Sequence, residues 1–369
     1  MSNRFDGLFL EYHILQSFPV SCLNRDDVGA PKSAFIGGTP RARVSSQCWK
    51  RAVRLALHEM GICIAERTKL IKAKLLEKCR AIDPDAEMAT IEKACGEAVC
   101  AITGETEEKD SKKTKEKPEE ENKASESKAL FFNSDYEAQI IAEALKNNNY
   151  KCPGNLPKIL IEKKFSPELD GLDIALFGRM VASKPELNIE AASAFAHAIS
   201  THKVMSELDF FTAVDDRKKQ EGETGGGHMG LLEYNSATYY RYVSLDLGQL
   251  ATNLHTEDIQ KAVDAFTRAL FIAVPSARQK TMAATCPWNF AITTLRKGQP
   301  MQVPFNVPVK PTGDKNILDA SIDELKNRFA NAQRMYGTMF GLKAECEISL
   351  QNGNIDDLCR KIEQAIQQI

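Results

Sequence analysis

The 369-residue sequence predicts an α+β fold with a helical insertion. The order of the predicted elements is a strand, several helices, a hairpin, one more helix, short strands and two final helices. Repeated strand–helix–strand units, which build a parallel sheet, are missing from this order, so the α+β class fits best. Composition agrees with a globular protein, because 43% of the residues are hydrophobic and 27% are charged.

The first predicted strand covers residues 5–16, where apolar and aromatic side chains alternate in part. A loop rich in proline and glycine follows over 17–44. The next element is a helix that begins near Ser45 or Ser46, because both residues favour the N-cap, and that ends at about Gly61.

Apolar residues at helical spacing predict further helices. They cover residues 64–81, 86–102, 129–147 and 186–201. Residues 104–128 form an almost wholly polar stretch of mixed charge, which cannot bury a core, so we expect a disordered surface loop there. A charged interaction segment is the alternative interpretation of this stretch.

Residues 204–247 predict a long β-hairpin, because two apolar and aromatic segments flank a polar, glycine-rich stretch at 215–230. A helix over 256–273 and the strand-like segment FIAVP come next. The remaining predicted elements are short strands between the prolines of 286–310, helices at 319–337 and 355–367, and a strand at 343–350.

Motifs of common enzyme classes are absent from the sequence. It contains no H-E-x-x-H, no G-x-x-x-x-G-K-S/T and no G-x-S-x-G motif, and Gly225-Gly226-Gly227 predicts a flexible loop tip. The ten cysteines include no C-x-x-C pair, and the N-terminal residues show no secretion signal, so we expect reduced thiols in a cytoplasm. We expect no catalytic activity, cofactor, metal site or membrane association.

Two segments of this nearly neutral chain contain no acidic residue. The first runs from Val28 to His58 and holds six cations, and the second runs from Ala265 to Gly313 and also holds six. The cations are Lys32, Arg41, Arg43, Lys50, Arg51 and Arg54 in the first segment, and Arg268, Arg278, Lys280, Arg296, Lys297 and Lys310 in the second. A surface without carboxylates suits a polyanion such as a nucleic acid.

On the helix near Ser45, apolar residues from Trp49 to Met60 recur at helical spacing and should face the core. The opposite side carries the polar residues Gln47, Lys50, Arg51 and Arg54. Arg41 and Arg43 precede the N-terminal end of the same helix. They can bind phosphate, or they can form a solvated basic face. The hairpin holds Phe210, Phe211, Tyr234, Tyr239, Tyr240 and Tyr242, which either stack on bases or pack across the hairpin.

Several longer motifs resemble the CasC family, the backbone subunits of type I-E CRISPR Cascade complexes. The N-terminal matches are Cys22-Leu-Asn-Arg-Asp-Asp27, Gly37-Gly38, Arg41-x-Arg43-Val-Ser-Ser-Gln47 and Lys50-Arg-Ala-x-Arg54. The later matches are Asp173-Ile-Ala-Leu, Gly178-Arg-Met180, Ala196-His-Ala-Ile199, Thr201-His202, Asp209-x-Phe-Thr-Ala-Val-Asp-Asp216, Tyr240-Arg-Tyr242 and Val274-Pro-x-Ala-x-Gln279. The resemblance spans residues 1–285.

The resemblance implies a hand-shaped subunit with a modified RRM-like (ferredoxin-like) palm, helical fingers and a hairpin thumb. In this scheme 1–60 and 248–369 form the palm with a palm helix at 186–203, 61–185 form the fingers, and 204–247 form the thumb. Copies would line up on one CRISPR guide RNA, displace bases at regular intervals, and present the guide to target DNA. The other implied partners are the large, small, guide-end-capping and guide-processing Cascade subunits, and indirectly a recruited nuclease-helicase.

Individual site residues follow from the same resemblance. The implied guide-RNA contacts are Arg25, Arg41, Arg43, Ser46, Gln47, Lys50, Arg51, Arg54, Met180, Phe210, Phe211, Thr212, Met229, Arg278, Gln279 and Lys280. Lys158, Lys163 and Lys164 in the fingers are weaker candidates for contact with target DNA, since a solvated helix face explains them equally well. For Met180 the alternative is packing in the core.

Two other functions remain open at this stage. One is a metal-dependent RNA nuclease subunit of a CRISPR effector that uses Asp26 or Asp27. The other is a protein–protein scaffold whose basic faces bind acidic partners.

Overall fold

The computed structural model describes residues 3–62, 64–104, 130–165, 170–214, 226–311 and 313–369. The polar stretch predicted at 104–128 lies outside the described residues apart from Gly104, and so does most of the predicted hairpin tip. The chain divides into two compact units. The helical unit comprises residues 1–6, 57–193 and 246–263, and the sheet unit comprises 7–56, 194–245 and 264–369.

Eleven strands are seen in the described residues. They are β1 (Leu8–Ser21), β2 (Ser33–Ile36), β3 (Thr39–Val44), β4 (Glu66–Thr68), β5 (Phe131–Asn133), β6 (Ser193–Phe195), β7 (Ala198–Ser200), β8 (Glu207–Val214), β9 (Gly226–Asp246), β10 (Phe290–Lys297) and β11 (Leu342–Ser349). Nine of them form one sheet in the order β11-β10-β1-β9-β7-β3-β2, with β6 and β8 also paired to β9. The pairs β1–β10, β10–β11, β7–β9 and β8–β9 are antiparallel.

Helices of very different length complete the fold. They are α1 (Ser46–Glu59), α2 (Ile71–Ile82), α3 (Met88–Thr103), α4 (Asp135–Asn147), α5 (Leu156–Glu162), α6 (Leu172–Phe177), α7 (Leu247–Asn253), α8 (Ile259–Ile272), α9 (Gln279–Met282), α10 (Ile317–Tyr336) and α11 (Ile355–Gln367). The structure is therefore a mixed α/β protein with a large antiparallel sheet, as the predicted α+β class requires. No helix of the described residues is long and apolar enough to cross a bilayer.

Alternation along β9 gives the sheet unit two separate cores. Tyr240 and Tyr242 pack on one face of the sheet with Phe329 of α10. Tyr239, one residue away, points to the other face, where it joins Trp49 of α1. Successive side chains of a strand point to opposite faces, so one strand supplies aromatic residues to both layers.

A buried ion pair connects the first strand to β10, its neighbour in the sheet. Glu11 on β1 accepts from Arg296 on β10 at 2.6 Å, and both side chains are almost inaccessible to solvent. The hydroxyl of Tyr242 and the backbone N–H of Met301 also donate to this carboxylate. Arg296 donates in addition to the carbonyl oxygen of Phe340, so every charge in the group is hydrogen-bonded.

The helical unit has its own core, built from α2, α3, α4 and α5. The helix α4 begins with a complete capping box, in which Ser134 and Glu137 each accept from the other's backbone N–H. Glu137 also accepts from the buried guanidinium of Arg179 at 2.7 Å. Because Arg179 is held inside, the next residue, Met180, is directed outward.

Several predicted elements are wrong. The loop expected at 17–44 contains the strands β2 and β3, and the helix expected at 129–147 begins with the strand β5. The palm helix expected at 186–203 is a short 3-10 turn at Pro185–Leu187 followed by the strands β6 and β7. Its alanine-rich sequence favours a helix, but Ala196 donates to the carbonyl oxygen of Tyr242 and β7 pairs with both β3 and β9, so tertiary pairing outweighs helix propensity. The segment FIAVP is no strand, since α8 continues to Ile272, and the helix predicted at 64–81 begins with the strand β4.

The buried Glu11–Arg296 pair gives a stability prediction. Replacing Glu11 with Gln leaves the guanidinium of Arg296 buried without a counter-charge, so we expect a loss of about 3 kcal/mol in the free energy of unfolding, measured by urea denaturation. As a control, Glu347→Gln removes the same charge from the exposed pair with Lys326 and should cost less than about 1 kcal/mol. Equal losses in the two variants would contradict this account.

Candidate nucleic-acid interface

The loop before α1 is fixed to the start of that helix. Ser45 is the N-cap, since its hydroxyl accepts from the backbone N–H of Cys48 at 3.3 Å. The N–H of Ser45 in turn donates to Asn24 at 2.9 Å. The β2–β3 turn is held too: a Cβ on Gly37 would lie 1.7 Å from the carbonyl oxygen of Asn306, so only glycine fits there.

The helix α1 presents the predicted polar face. Its apolar residues, among them Trp49 and Val53, are buried, whereas Gln47 and Arg51 are exposed. Lys50 is half-buried, with its ammonium nitrogen 5.8 Å from the ring centre of Phe195, and partial burial lowers its pKa. Arg54 is also half-buried and Ser46 is partly exposed. The cationic face is therefore part of the protein surface, and Lys50 is partly desolvated before any ligand arrives.

Two cations that are far apart in sequence act on the thiol of Cys22, as do the acidic residues Asp26 and Glu233. Burial raises the pKa of the Cys22 thiol, and the positive charges of Arg278 and Arg25 act against that increase. Arg25 belongs to the loop that leads into the first segment, and Arg278 belongs to the second. Residues far apart in sequence thus place two guanidinium groups around one point of the sheet unit.

Arg278 is held in an unusual backbone conformation. Its φ is +58°, a left-handed value that non-glycine residues rarely adopt, and Ala283 at the other end of α9 has a φ of +48°. The Nε atom of Arg278 is buried and has no hydrogen-bond partner among the described residues. A strained arginine with an unused donor is typical of a ligand-binding loop.

Further cations join this surface from the β2–β3 region. Lys32 acts electrostatically on Cys48 together with Arg51, and on His197 together with Arg43. Neither Lys32 nor His197 was among the predicted site residues. Lys32 had a sequence signal, since it is one of the six cations of the first acid-free segment, and His197 had one as part of the matched motif Ala196-His-Ala-Ile199.

The structure contradicts the predicted phosphate contact of Arg41. This side chain is fully buried, and it donates to the carbonyl oxygens of Ser200, Thr201 and Phe305. Its guanidinium is held inside by these three carbonyl oxygens, so it connects β3 to neighbouring segments instead of facing a ligand. Gln279 is used in a similar way, because its amide donates to the carbonyl oxygens of Pro275 and Ala284 and thereby holds its own loop.

The remaining cations of the second segment have different surroundings. Arg268 forms ion pairs with Asp264 and Asp356, and Arg296 is buried against Glu11. Lys280 is exposed beside Arg278. The charge available to a ligand is therefore smaller than the sequence count suggests.

The hairpin predicted at 204–247 is present as β8 and β9, and its two faces differ. Phe210 opposes Leu231, and Thr212 opposes Met229. These residues share one face with Leu208, and the four apolar ones are each at least 60% exposed. The buried Tyr239, Tyr240 and Tyr242 belong to the sheet cores, so packing is the correct interpretation for these three aromatic residues.

Phe211 lies on the opposite face of the hairpin and covers Gly230. A Cβ added to Gly230 would lie 2.5 Å from the tip of the Phe211 ring. The ring thus occupies the space that a side chain would need, and glycine is required for this packing. Phe210 and Phe211 are adjacent, yet only Phe210 belongs to the exposed apolar face.

The predicted site residues of the helical unit have different surroundings. Met180 is 84% exposed, which contradicts the alternative of core packing. Lys158 and Lys163 are exposed, and Lys158 lies 3.8 Å from Glu162. Lys164 instead donates to the carbonyl oxygens of Ala251 and Leu254 at the end of α7, so a helix-capping role explains it.

Asp26 has a structural use in its loop. One of its carboxylate oxygens accepts from the backbone N–H groups of Val28 and Ala30, at 3.0 and 2.9 Å. Asp27 is exposed. In the part of the chain that the structure describes, no three His, Cys, Asp or Glu side chains are grouped so that they can hold a metal ion.

Comparison with known proteins identifies the family. Residues 10–366 match the family model described as CT1975-like protein. The chain belongs to the CT1975-like family. No curated protein is significantly similar to it in sequence.

Solved structures agree over the full length of this CT1975-like chain. One match is a chain of a “CRISPR RNA-guided surveillance complex, pre-nicking”, with 26% identity, a TM-score of 0.75, and coverage of 95% of this chain and 99% of that one. Another is a chain of a “CRISPR RNA-guided surveillance complex”, with 21% identity, a TM-score of 0.67, and coverage of 98% and 100%. The second likeness shows a shared fold.

The packing of Phe211 on Gly230 can be tested. Gly230→Ala should push the ring off the strand, cost about 1–3 kcal/mol, and speed hydrogen exchange of the β8 and β9 amides by about tenfold or more. The double variant Gly230→Ala/Phe211→Ala should restore slow exchange, because the clash is gone. As a control, Leu231→Ala on the exposed face should leave exchange unchanged, and unchanged exchange in Gly230→Ala itself would refute the packing argument.

Proposed function

We propose that this CT1975-like chain is a guide-RNA-binding backbone subunit of a CRISPR surveillance complex, of the CasC kind found in type I-E Cascade. Copies bind side by side along the guide, displace bases at regular intervals, and present the rest for pairing with target DNA. The subunit binds and orients RNA and does not itself catalyse a reaction. Its other partners are the remaining subunits of the complex, and a separate nuclease cuts the target.

The observation that supports this proposal most strongly is the full-length likeness to a chain of a CRISPR RNA-guided surveillance complex at 26% identity. A match over 95% of this chain includes both compact units and leaves little of the chain for an additional domain. The sequence motifs that resemble CasC add the more specific assignment, with an RRM-like palm corresponding to the sheet unit.

The chemistry of the sheet unit supports RNA as the ligand. Arg25 and Arg278 both act on Cys22, and the helix α1 presents further cations of the first acid-free segment, so these side chains can neutralise successive phosphates. The exposed apolar face of the hairpin, with Phe210 and Met229, suits contact with the face of a base. Phosphate contacts of this kind read no sequence, as a subunit that accepts any guide requires.

The first test concerns the guanidinium pair near Cys22. Arg25→Ala/Arg278→Ala should weaken binding of a single-stranded RNA and reduce the slope of log K against log salt by about 1.4, since each lost phosphate contact contributes about 0.7. Filter binding or fluorescence anisotropy at several salt concentrations measures both quantities.

The matched control removes two cations elsewhere in the sheet unit. Arg334→Ala/Arg360→Ala makes the same change in net charge, and both residues are exposed on helices away from the acid-free segments. This variant should keep the original slope. If the two double variants lose the same affinity and slope, the effect is one of overall charge and the proposed site is wrong.

Side-by-side binding is tested by native mass spectrometry with RNAs of graded length. The number of bound copies should rise stepwise, by one for each fixed increment of nucleotides, because each copy occupies a constant length of guide. Double-stranded RNAs of the same lengths serve as controls, and with them the number of bound copies should not rise stepwise. One bound copy at every length, even with the other subunits present, would contradict a backbone role.

A further inference from the structure

Lys32, Arg43 and His197 form a cluster whose members the sequence treated separately. Arg43 was an implied guide-RNA contact, His197 was only part of a matched motif, and Lys32 was a cation of the first acid-free segment. Arg43 lies on β3 and pairs across the sheet with Ile199 of β7, which brings the loop residue His197 beside it. The Nη1 of Arg43 is 3.3 Å from the Nδ1 of His197. Lys32, in the segment before β2, is held beside Arg43, whose backbone N–H donates to its carbonyl oxygen at 2.9 Å, and its charge lowers the pKa of the imidazole.

The contact with Arg43 determines which nitrogen of the ring carries the proton. A guanidinium has only donors, so Nδ1 of His197 must accept, and the neutral ring then carries its hydrogen on Nε2. His197 is exposed, and its Nε2–H is therefore a donor that a ligand can reach. Arg43 also donates from Nε to the carbonyl oxygen of Ser33, which fixes the orientation of its guanidinium.

The two charged groups that act on the pKa of His197, Arg43 and Lys32, are both positive. Partial burial lowers its pKa, and Arg43 and Lys32 lower it further. On the neighbouring helix α1, Lys50 lies over the ring of Phe195, two residues before His197. The segment from Val28 to His58, which supplies Lys32, Arg43 and Lys50, contains no acidic residue. The free protein thus keeps His197 neutral in a site that lacks a counter-anion.

We propose that Lys32, Arg43 and His197 form a binding subsite for one phosphodiester group of the RNA, and that His197 takes up a proton when that group is bound. The proposal rests on the RNA-binding function proposed above and adds a subsite to it. Protonation of Nδ1 breaks the contact with Arg43, so the guanidinium Nη1–H is released to donate to a phosphate oxygen. Proton uptake therefore provides two additional hydrogen-bond donors for the phosphate, one from each side chain.

The sign of the pH dependence follows from linkage. A phosphate beside the imidazole favours the charged form, so the pKa of His197 is higher in the complex than in the free protein. Between those two values binding takes up a proton, and affinity rises as the pH falls. A difference of one unit between the pKa in the complex and the pKa in the free protein corresponds to at most a factor of ten in affinity. Over the range from about pH 7.5 to about pH 5.5 we expect binding to tighten by about fivefold.

The experiment is isothermal titration calorimetry of the full-length chain with oligouridylate, whose bases do not titrate near neutral pH. Titrations at about pH 6, where histidine titrates, in buffers with different ionisation enthalpies give the number of protons taken up per binding event. The wild type should take up a substantial fraction of one proton per bound copy. His197→Gln, which keeps a polar side chain, should take up close to none and lose the pH dependence, while it still binds at about pH 8.

Matched variants separate this inference from the proposed function. His255→Gln alters an exposed histidine of the helical unit and should behave as the wild type does. If RNA binds and His197→Gln takes up as many protons as the wild type, the subsite is refuted while RNA binding stands. If neither the wild type nor any variant binds oligouridylate at any pH, the proposed function itself is refuted, and the subsite with it. Lys32→Ala should weaken binding at every pH without abolishing proton uptake, and undiminished binding would remove Lys32 from the subsite.

Discussion

Continuous pairing along β9 is the constraint on which the sheet unit depends. Its first residues pair with β8 to form the hairpin, and its later residues pair with β7 in the middle of the large sheet. Because the two faces of a strand alternate without interruption, the register that buries Tyr239 and Tyr240 also decides which hairpin residues are exposed. Phe210 and Phe211 therefore have their different surroundings as a consequence of core packing many residues away.

The sequence predicted long, periodic elements well. The helix α1, its buried and polar faces, the hairpin and the two final helices have nearly the expected limits. Period-two and helical patterns are reliable when one face of an element is buried along its whole length. The segment 186–203 failed because β6 and β7 are only three residues each, too short for a pattern, and their alanines favour a helix unless neighbouring strands pair with them.

The site could be predicted in outline but not residue by residue. The acid-free segments predicted a cationic face, and α1 presents one, because the absence of carboxylates is a property of composition. The individual roles of Arg41, Arg268 and Arg296 depend on partners that lie far away in sequence, and no local pattern contains that information. His197 was quoted in a motif but not predicted as a site residue, because its contact with Arg43 on the adjacent strand cannot be seen in the sequence.

The left-handed backbone of Arg278 has a consequence for how this surface can change. Glycine adopts such a conformation at little cost, whereas a residue with a Cβ pays about 1 kcal/mol or more. At this position a mutation to glycine relieves the backbone strain and removes a cation at the same time. Selection for thermal stability alone would therefore favour loss of this cation, and under the proposed function the arginine is a position where stability and RNA binding oppose each other.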